Sequence, residues 1–460
     1  MAIPHRLFLV LTIVLTCLSG RAQSPAVYSF QQDDTLLRRK LFQAAEARNK
    51  NTIAALGKDN LKDYKQAYES QLEMVRDLLL TSRSVTEEKA YGYMHAVVQK
   101  IVAANPELKG LELRVVFSRD LWPNAYSIGD GTIAFNAGLF VYLDNEAEMA
   151  FVLAHELAHF YLDHSGKKIR KYVETVNSAD FKKEIKQIEK QEYQVRARVE
   201  QLVKSIAFDI HRHSRDNEAE ADRVGLRFVK KAGYAGEAFI STMQLLDKVD
   251  DSSFLQAPDL KKIFNFPAYP FRERWIKKES AIFGALNPEE ASGLSKKEKD
   301  SLKTHPDCTK RIELLSDSAR GFAGKQFQVD EAQFRQLKES FIAELVEECY
   351  TAGNISRNLY LSLGLLQLEK FRPLAIYSIA RDLNQLYKRQ REHALGLSVD
   401  AENRNYPEAY NLLLRMLYRV KLDELAELAN HFTAQYEQEM KDYPAFAAER
   451  AIAKQHIPTN

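Results

Sequence analysis

From Met149 to Leu162 nearly every residue is apolar, and a helix that is apolar on all sides has to be buried. The rest of the chain must therefore fold around this segment. In its middle stand His155, Glu156 and His159, polar groups that burial penalises unless each finds a partner. Asn145 and Glu148 match a capping box at the start of the helix, and Gly166 suits a left-handed residue that would stop it.

Two histidines at i and i+4 share one helix face, about 6 Å apart along the axis. Both imidazoles can converge on one zinc ion at about 2.0 to 2.1 Å. Glu156, next to the first histidine, reaches a water beside such a metal rather than the metal itself, the position of a general base. The plainer alternative is a pair of hydrogen-bonded core histidines. Zinc, one per chain, needs a third protein ligand. A metzincin would place Gly at position 162 and His at 165, where the chain has Leu162 and Ser165, and no thermolysin-type ExxxD lies near positions 178 to 190. Farther on, Asn217 to Asp222 reads NEAEAD and continues into Val224, Leu226, Phe228 and Val229 at helical spacing. Glu218 and Asp222 are i and i+4, so one helix can present Glu218 to the metal. One turn on, Asp222 can meet the free N–H of a ligand histidine.

HELAH followed by NEAEAD resembles the gluzincin family of HtpX, BepA and the CaaX prenyl protease. The resemblance covers about residues 86–320. It takes in Asn124 to Ile128 and Asp130 to Leu139 upstream, and Thr304-His305-Pro306 with Arg311-Ile312 downstream, similar to the HP motif and later Arg of soluble extracytoplasmic members. It implies a zincin-type core, zinc held by His155, His159 and Glu218, and hydrolysis of peptide bonds with Glu156 as base. His305 or Arg311 is then the candidate to stabilise the oxyanion. Alternatively, His305 fills the metal's open position and keeps the enzyme latent, or the HP turn is structural and Arg311 a surface residue. Substrate is expected to enter extended, pairing with the edge formed by Gly131, Thr132, Ile133, Ala134, Phe135 and Asn136, which favours unfolded or misassembled polypeptides. Without the transmembrane helices of the embedded members, prenyl-protein processing is not carried over.

The first 22 residues have the grammar of a secretory signal peptide: Arg6, an apolar run from Leu7 to Leu18, and small residues before a cut after Ala22. The run is too short to span a bilayer and no later stretch is longer, which predicts a periplasmic or secreted protein with no transmembrane segment in the mature chain. Thr16 disfavours Cys17 as a lipoprotein acceptor. Residues 23–85 read as helices. Residues 86–320 form the expected metallopeptidase domain, with strands at Leu111 to Phe117 and Gly131 to Asn136. Within it, residues 167–206 form a charged arm, one long helix with Phe181, Ile185, Ile188, Val195, Val199, Leu202 and Ile206 as a narrow apolar stripe. The proline- and aromatic-rich stretch from Phe254 to Pro270 reads as a lid, a rim or an ordinary surface loop. Residues 321–460 form an all-helical C-terminal domain, with helix pairs starting near Asn358 and Pro407 that suggest a repeat. The fold class is thus α+β, mainly helical.

With 65 Lys+Arg against 63 Asp+Glu, the net charge of +2 gives no dense basic face for nucleic acid. Cys308 and Cys349 are either one disulfide or two buried thiols. The expected partners are polypeptide substrates, and envelope proteins held by the C-terminal helices. The competing function is a latent or non-catalytic chaperone or scaffold. Glu156 separates the two, because a purely structural zinc site has no use for a carboxylate beside an open coordination position.

Overall fold

The observed architecture is α+β and mainly helical, with a single small sheet among the described residues. The computed structural model describes residues 32–189, 215–248, 255–277, 308–403 and 406–457. The leader with Cys17 and the Thr304-His305-Pro306 motif lie outside the described residues, and of the arm's stripe only the side chain of Phe181 lies within them.

The sheet contains β1 (Ser84–Val85), β2 (Arg114–Ser118), β3 (Ala125–Ser127) and β4 (Thr132–Asn136), in the order β1-β2-β4-β3. β2 and β4 run parallel, and the outer strands are antiparallel to their neighbours. Side chains alternate between faces. Val116 and Ala134 turn to a helical hairpin, α1 (Thr35–Ala54) and α2 (Leu61–Leu80), meeting Phe42, Ala45, Val75 and Leu78. Val115, Phe117, Ile133 and Phe135 turn to the main core. With both faces covered, the central strands are buried throughout.

This order corrects the expectation for substrate docking. β4 is an interior strand, bonded on one side to β2 and on the other to β3, so Thr132 to Asn136 have no free edge to offer. Gly131, just before it, turns tightly at φ +93°, and a side chain there would meet the Glu112 carbonyl oxygen at 2.1 Å. The edge strands are β1 and β3, and β3 is the one beside β4.

On the main-core face lie α3 (Glu88–Ala104), the short α4 (Ala137–Phe140) and the apolar α5 (Glu146–Tyr161). Asn145 caps α5, its side chain accepting from the Glu148 N–H at 3.1 Å. Glu148 reaches back to the Asp144 N–H at 2.8 Å, one residue before the position a capping box would use. The stop is not Gly166. The chain turns at Asp163, which is left-handed at φ +54°, and Gly166 sits inside the next helix, α6 (His164–Asn177). A Cβ at Gly166 would be 2.2 Å from the Asp163 carboxylate, so the glycine makes room for the turn residue. The charged arm is not one unbroken helix either. It breaks at Ser178, whose hydroxyl accepts from the Phe181 N–H, and resumes as α7 (Ala179–Glu189).

Helical residues 215–231 (α8) and α9 (Ala238–Leu246) flank α5, with Phe151 and Phe239 edge to face at 5.2 Å. Residues 255–277, with the short α10 (Leu260–Ile263), pack as a strap on the C-terminal helices. Phe266 and Tyr269 stack on His431, and the Trp275 indole donates to Glu424 at 3.1 Å. After α11 (Cys308–Arg320) come α12 (Glu331–Thr351), α13 (Ile355–Leu365), α14 (Arg372–Arg391), α15 (Glu408–Arg419), α16 (Leu422–Gln435) and α17 (Pro444–Gln455). α14 packs against α13, α16 and α17, a hub rather than a stack in which each pair touches only the next. Cys308 and Cys349 are both buried, and no disulfide joins them.

Candidate metal centre

α5 and α8 cross at Gly225, where an added Cβ would lie 3.0 Å from the His155 backbone. The absent side chain lets the two helices come close enough for Glu218 to reach the histidine pair. His155 Nε2 and His159 Nε2 are 3.0 Å apart. The two oxygens of Glu218 divide between them, Oε2 at 3.4 Å from His155 and Oε1 at 3.3 Å from His159. A tetrahedron of ligands about 2.05 Å from zinc has edges of about 3.3 Å. The three side chains thus stand at the spacing that a small divalent cation with mixed N and O ligands requires.

Behind this trio each histidine has its own support. Asp222 Oδ1 lies 2.9 Å from His155 Nδ1, although the angle at the ring N–H is poor. Asp222 is fully buried and is held by Arg311 of α11, whose Nε and Nη2 donate to its two oxygens at 2.6 and 2.7 Å. Burial works to raise the Asp222 pKa, but hydrogen bonds from Arg311 and His155 outweigh it and leave the carboxyl below its ordinary value. Glu218 follows the same balance: burial is outweighed by His155 and His159, which hold it well below the usual carboxylate range. Burial works against charge on His155, yet its bonds to Asp222 and Glu218 carry the imidazole up to about 10.

Glu156 lies beside the trio and is tied to the sheet: its Oε2 accepts the backbone N–H of Ser127, in the edge strand β3, at 2.8 Å. Burial raises its pKa, with the two histidines opposing.

Of the residues singled out in the sequence, His155, His159, Glu218 and Asp222 come together here, with Glu156 alongside. Arg311 joins them. Its guanidinium is buried, engaged by Asp222 and 3.6 Å from Glu218, so it braces the two carboxylates. His305 lies outside the described residues, and Thr132 to Asn136 are in the sheet interior, with Gly131 in the turn before them. Two residues were not anticipated. His164, at the first position of α6, is buried with Nδ1 2.9 Å from His159 Nδ1, and its Nε2 is 3.2 Å from Glu220. The run His155, His159, His164 was visible in the sequence, but the return of His164 onto His159 depends on the left-handed turn at Asp163.

The sequence profile of peptidase family M48 matches residues 88–319, half of the chain. The chain belongs to this family. The M48 match runs from α3 to the end of α11, so it includes both helices of the centre and Arg311, while α12 to α17 lie beyond it. Over 150 residues the chain is 29% identical to the putative beta-barrel assembly-enhancing protease of Vibrio cholerae serotype O1, covering 32% of this chain and 30% of that protein. Over 198 residues it is 26% identical to the mitochondrial metalloendopeptidase OMA1 of Bos taurus, covering 40% of this chain and 35% of that one. The beta-barrel assembly-enhancing protease of Yersinia pestis is 27% identical over 138 residues, covering 29% and 28%. The chain thus spans about a third of the length of these relatives. The family resemblance carried by HELAH and NEAEAD agrees with M48 membership.

Proposed function

We propose that this M48 chain is a zinc metalloendopeptidase acting on extended, unfolded or misassembled polypeptides of the cell envelope. The observation that carries the reading is the meeting of His155, His159 and Glu218 at the edge lengths of a zinc tetrahedron, with Glu156 tied to an edge strand beside them.

Zinc bound by His155, His159 and Glu218 would supply Lewis acidity, which polarises a scissile carbonyl and makes a water nucleophilic near neutral pH. The chain's own residues do the rest. Glu156 accepts the proton of the attacking water on one carboxylate oxygen while the Ser127 N–H fixes the other, and then delivers that proton to the leaving amine. β3 positions the substrate. Tyr126 pairs with Ala134 of β4, so the backbone groups of Ala125 and the carbonyl of Ser127 point away from β4, the side on which an extended peptide would pair. Main-chain pairing of this kind tolerates varied side chains, which suits unfolded substrates.

Envelope substrates and a periplasmic or secreted location rest on the names of two relatives, which refer to beta-barrel assembly, and on the leader grammar of residues 1–22. Among the described residues no helix is long and apolar enough to cross a membrane. The C-terminal helices are the surface offered to envelope partners.

Casein hydrolysis by the purified chain, with and without a chelator and beside Glu156→Gln, tests the reading. Chelation should abolish turnover and zinc restore it. Glu156→Gln should bind one zinc per chain yet lose turnover by a factor of at least 10². Undiminished turnover in that variant would sink the assigned mechanism.

A further inference from the structure

A histidine ligates a metal through one ring nitrogen only when that nitrogen carries no proton, so whatever binds the other nitrogen decides whether the ligand is ready. At His159 the ligating Nε2 faces His155 and Glu218, and Nδ1 faces a second, buried imidazole, that of His164. Two facing ring nitrogens need one proton between them, and Glu220 decides which carries it. Its carboxylate sits 3.2 Å from His164 Nε2 and can only accept, so His164 carries its proton on Nε2. His164 Nδ1 is then a lone pair, and the proton between the rings belongs to His159 Nδ1. That leaves His159 Nε2 bare and directed at the centre. The opposite assignment would set the Glu220 oxygen against a lone pair and close His159 to metal.

Resting on the metallopeptidase reading above, we propose that His164 and Glu220 form a positioning relay that fixes the ligating tautomer and ring orientation of His159. It is the counterpart of the Arg311–Asp222 support behind His155. The surroundings suit such a relay, since His164 is 1% exposed and both of its ring nitrogens face a partner. The turn at Asp163 sets His164 in place, since it lets α6 fold back directly from α5.

The test is zinc affinity, measured by chelator competition on the full chain, with melting of the metal-free forms as a check on folding. Asn places its amide oxygen where the imidazole has Nδ1, so His164→Asn keeps the acceptor for His159, whereas His164→Leu fills space without one. His164→Leu should weaken zinc binding 10- to 100-fold, and His164→Asn should stay within about threefold of the parent chain. A merely structural role predicts the reverse order, because a buried asparagine disturbs packing more than a leucine. Ring ¹⁵N shifts should show His164 as the Nε2–H tautomer in the metal-free chain. Equal zinc affinity for Leu and Asn variants, or an Nδ1–H tautomer at His164, would overturn the relay alone. A parent chain that binds no zinc would overturn the peptidase reading with it.

Discussion

Asp222 and Asp382 are both completely buried carboxylates, and they differ in what surrounds them. Asp222 receives two hydrogen bonds from Arg311 and stays charged. Asp382, in the middle of α14, has no hydrogen-bond partner for either oxygen among the described residues, and burial pushes its pKa well above the ordinary carboxylate value, Arg381 opposing. The sign of the pH effect follows. The folded pKa lies above that of the unfolded chain, so the folded state keeps a proton that the unfolded state gives up, and stability falls as pH rises from about 4 through the raised folded value. Asp382→Asn, a neutral stand-in for the protonated acid, should therefore be more stable than the parent at pH 7, by about 1–3 kcal/mol. Near pH 4 the two should converge. Thermal melts of both proteins at the two pH values read this directly, and an advantage of the same size at both would show that the carboxylate charge is not its origin.

At the scale of elements, the centre exists because α5 and α8 touch where α8 has no side chain. Gly225→Ala would press a Cβ against the His155 backbone at 3.0 Å, with backbone rather than a flexible tip on the other side. The helices must then part, and Glu218, which α8 presents to the histidines, moves away from them. The expected result is a loss of about 1–3 kcal/mol in stability and weaker zinc binding, measured by denaturant titration and chelator competition. Unchanged zinc affinity would mean that the helix contact does not set the ligand distance. This division also explains what the sequence could tell. His155, Glu156 and His159 share one helical period, as do Glu218 and Asp222, and periodicity survives any tertiary context. Turn geometry does not have that property: a left-handed Asp163 overrode the glycine three residues later, and His164 gained its neighbour only through that turn. β3, three residues long, is too short to show alternation, and without it Thr132 to Asn136 read as an edge strand when they lie inside the sheet. Gly225 stood in plain view, but a lone glycine in a helix announces close approach only once its neighbour is known.

For the whole molecule, the boundary expected at residue 321 falls in the middle of a continuous core. Phe341 of α12 lies edge to face on Phe117 of β2 at 4.8 Å, and Phe334 on Phe140 at the same distance. One apolar cluster extends from Val85 to Ala453. Polar contacts cross the same boundary. Glu146, the first residue of α5, is buried and accepts from Tyr93 and Tyr234 and from the backbone N–H groups of Gln328, Val329 and Asp330, which fastens the segment entering α12 to the helix that carries the histidines. A chain built this way should unfold as a unit. Its two tryptophans make that measurable, since Trp122 follows β2, whereas Trp275 is buried against Glu424 of α16. In single-tryptophan variants, denaturant transitions reported by Trp122 and by Trp275 should coincide. Phe341→Ala, which empties an aromatic site between the sheet and α12, should lower stability by about 3–5 kcal/mol and move both transitions together. If the variant shifts the Trp275 transition and leaves that of Trp122 in place, the C-terminal helices are an independent domain, and the packing of α12 on the sheet does not couple them to the metal centre.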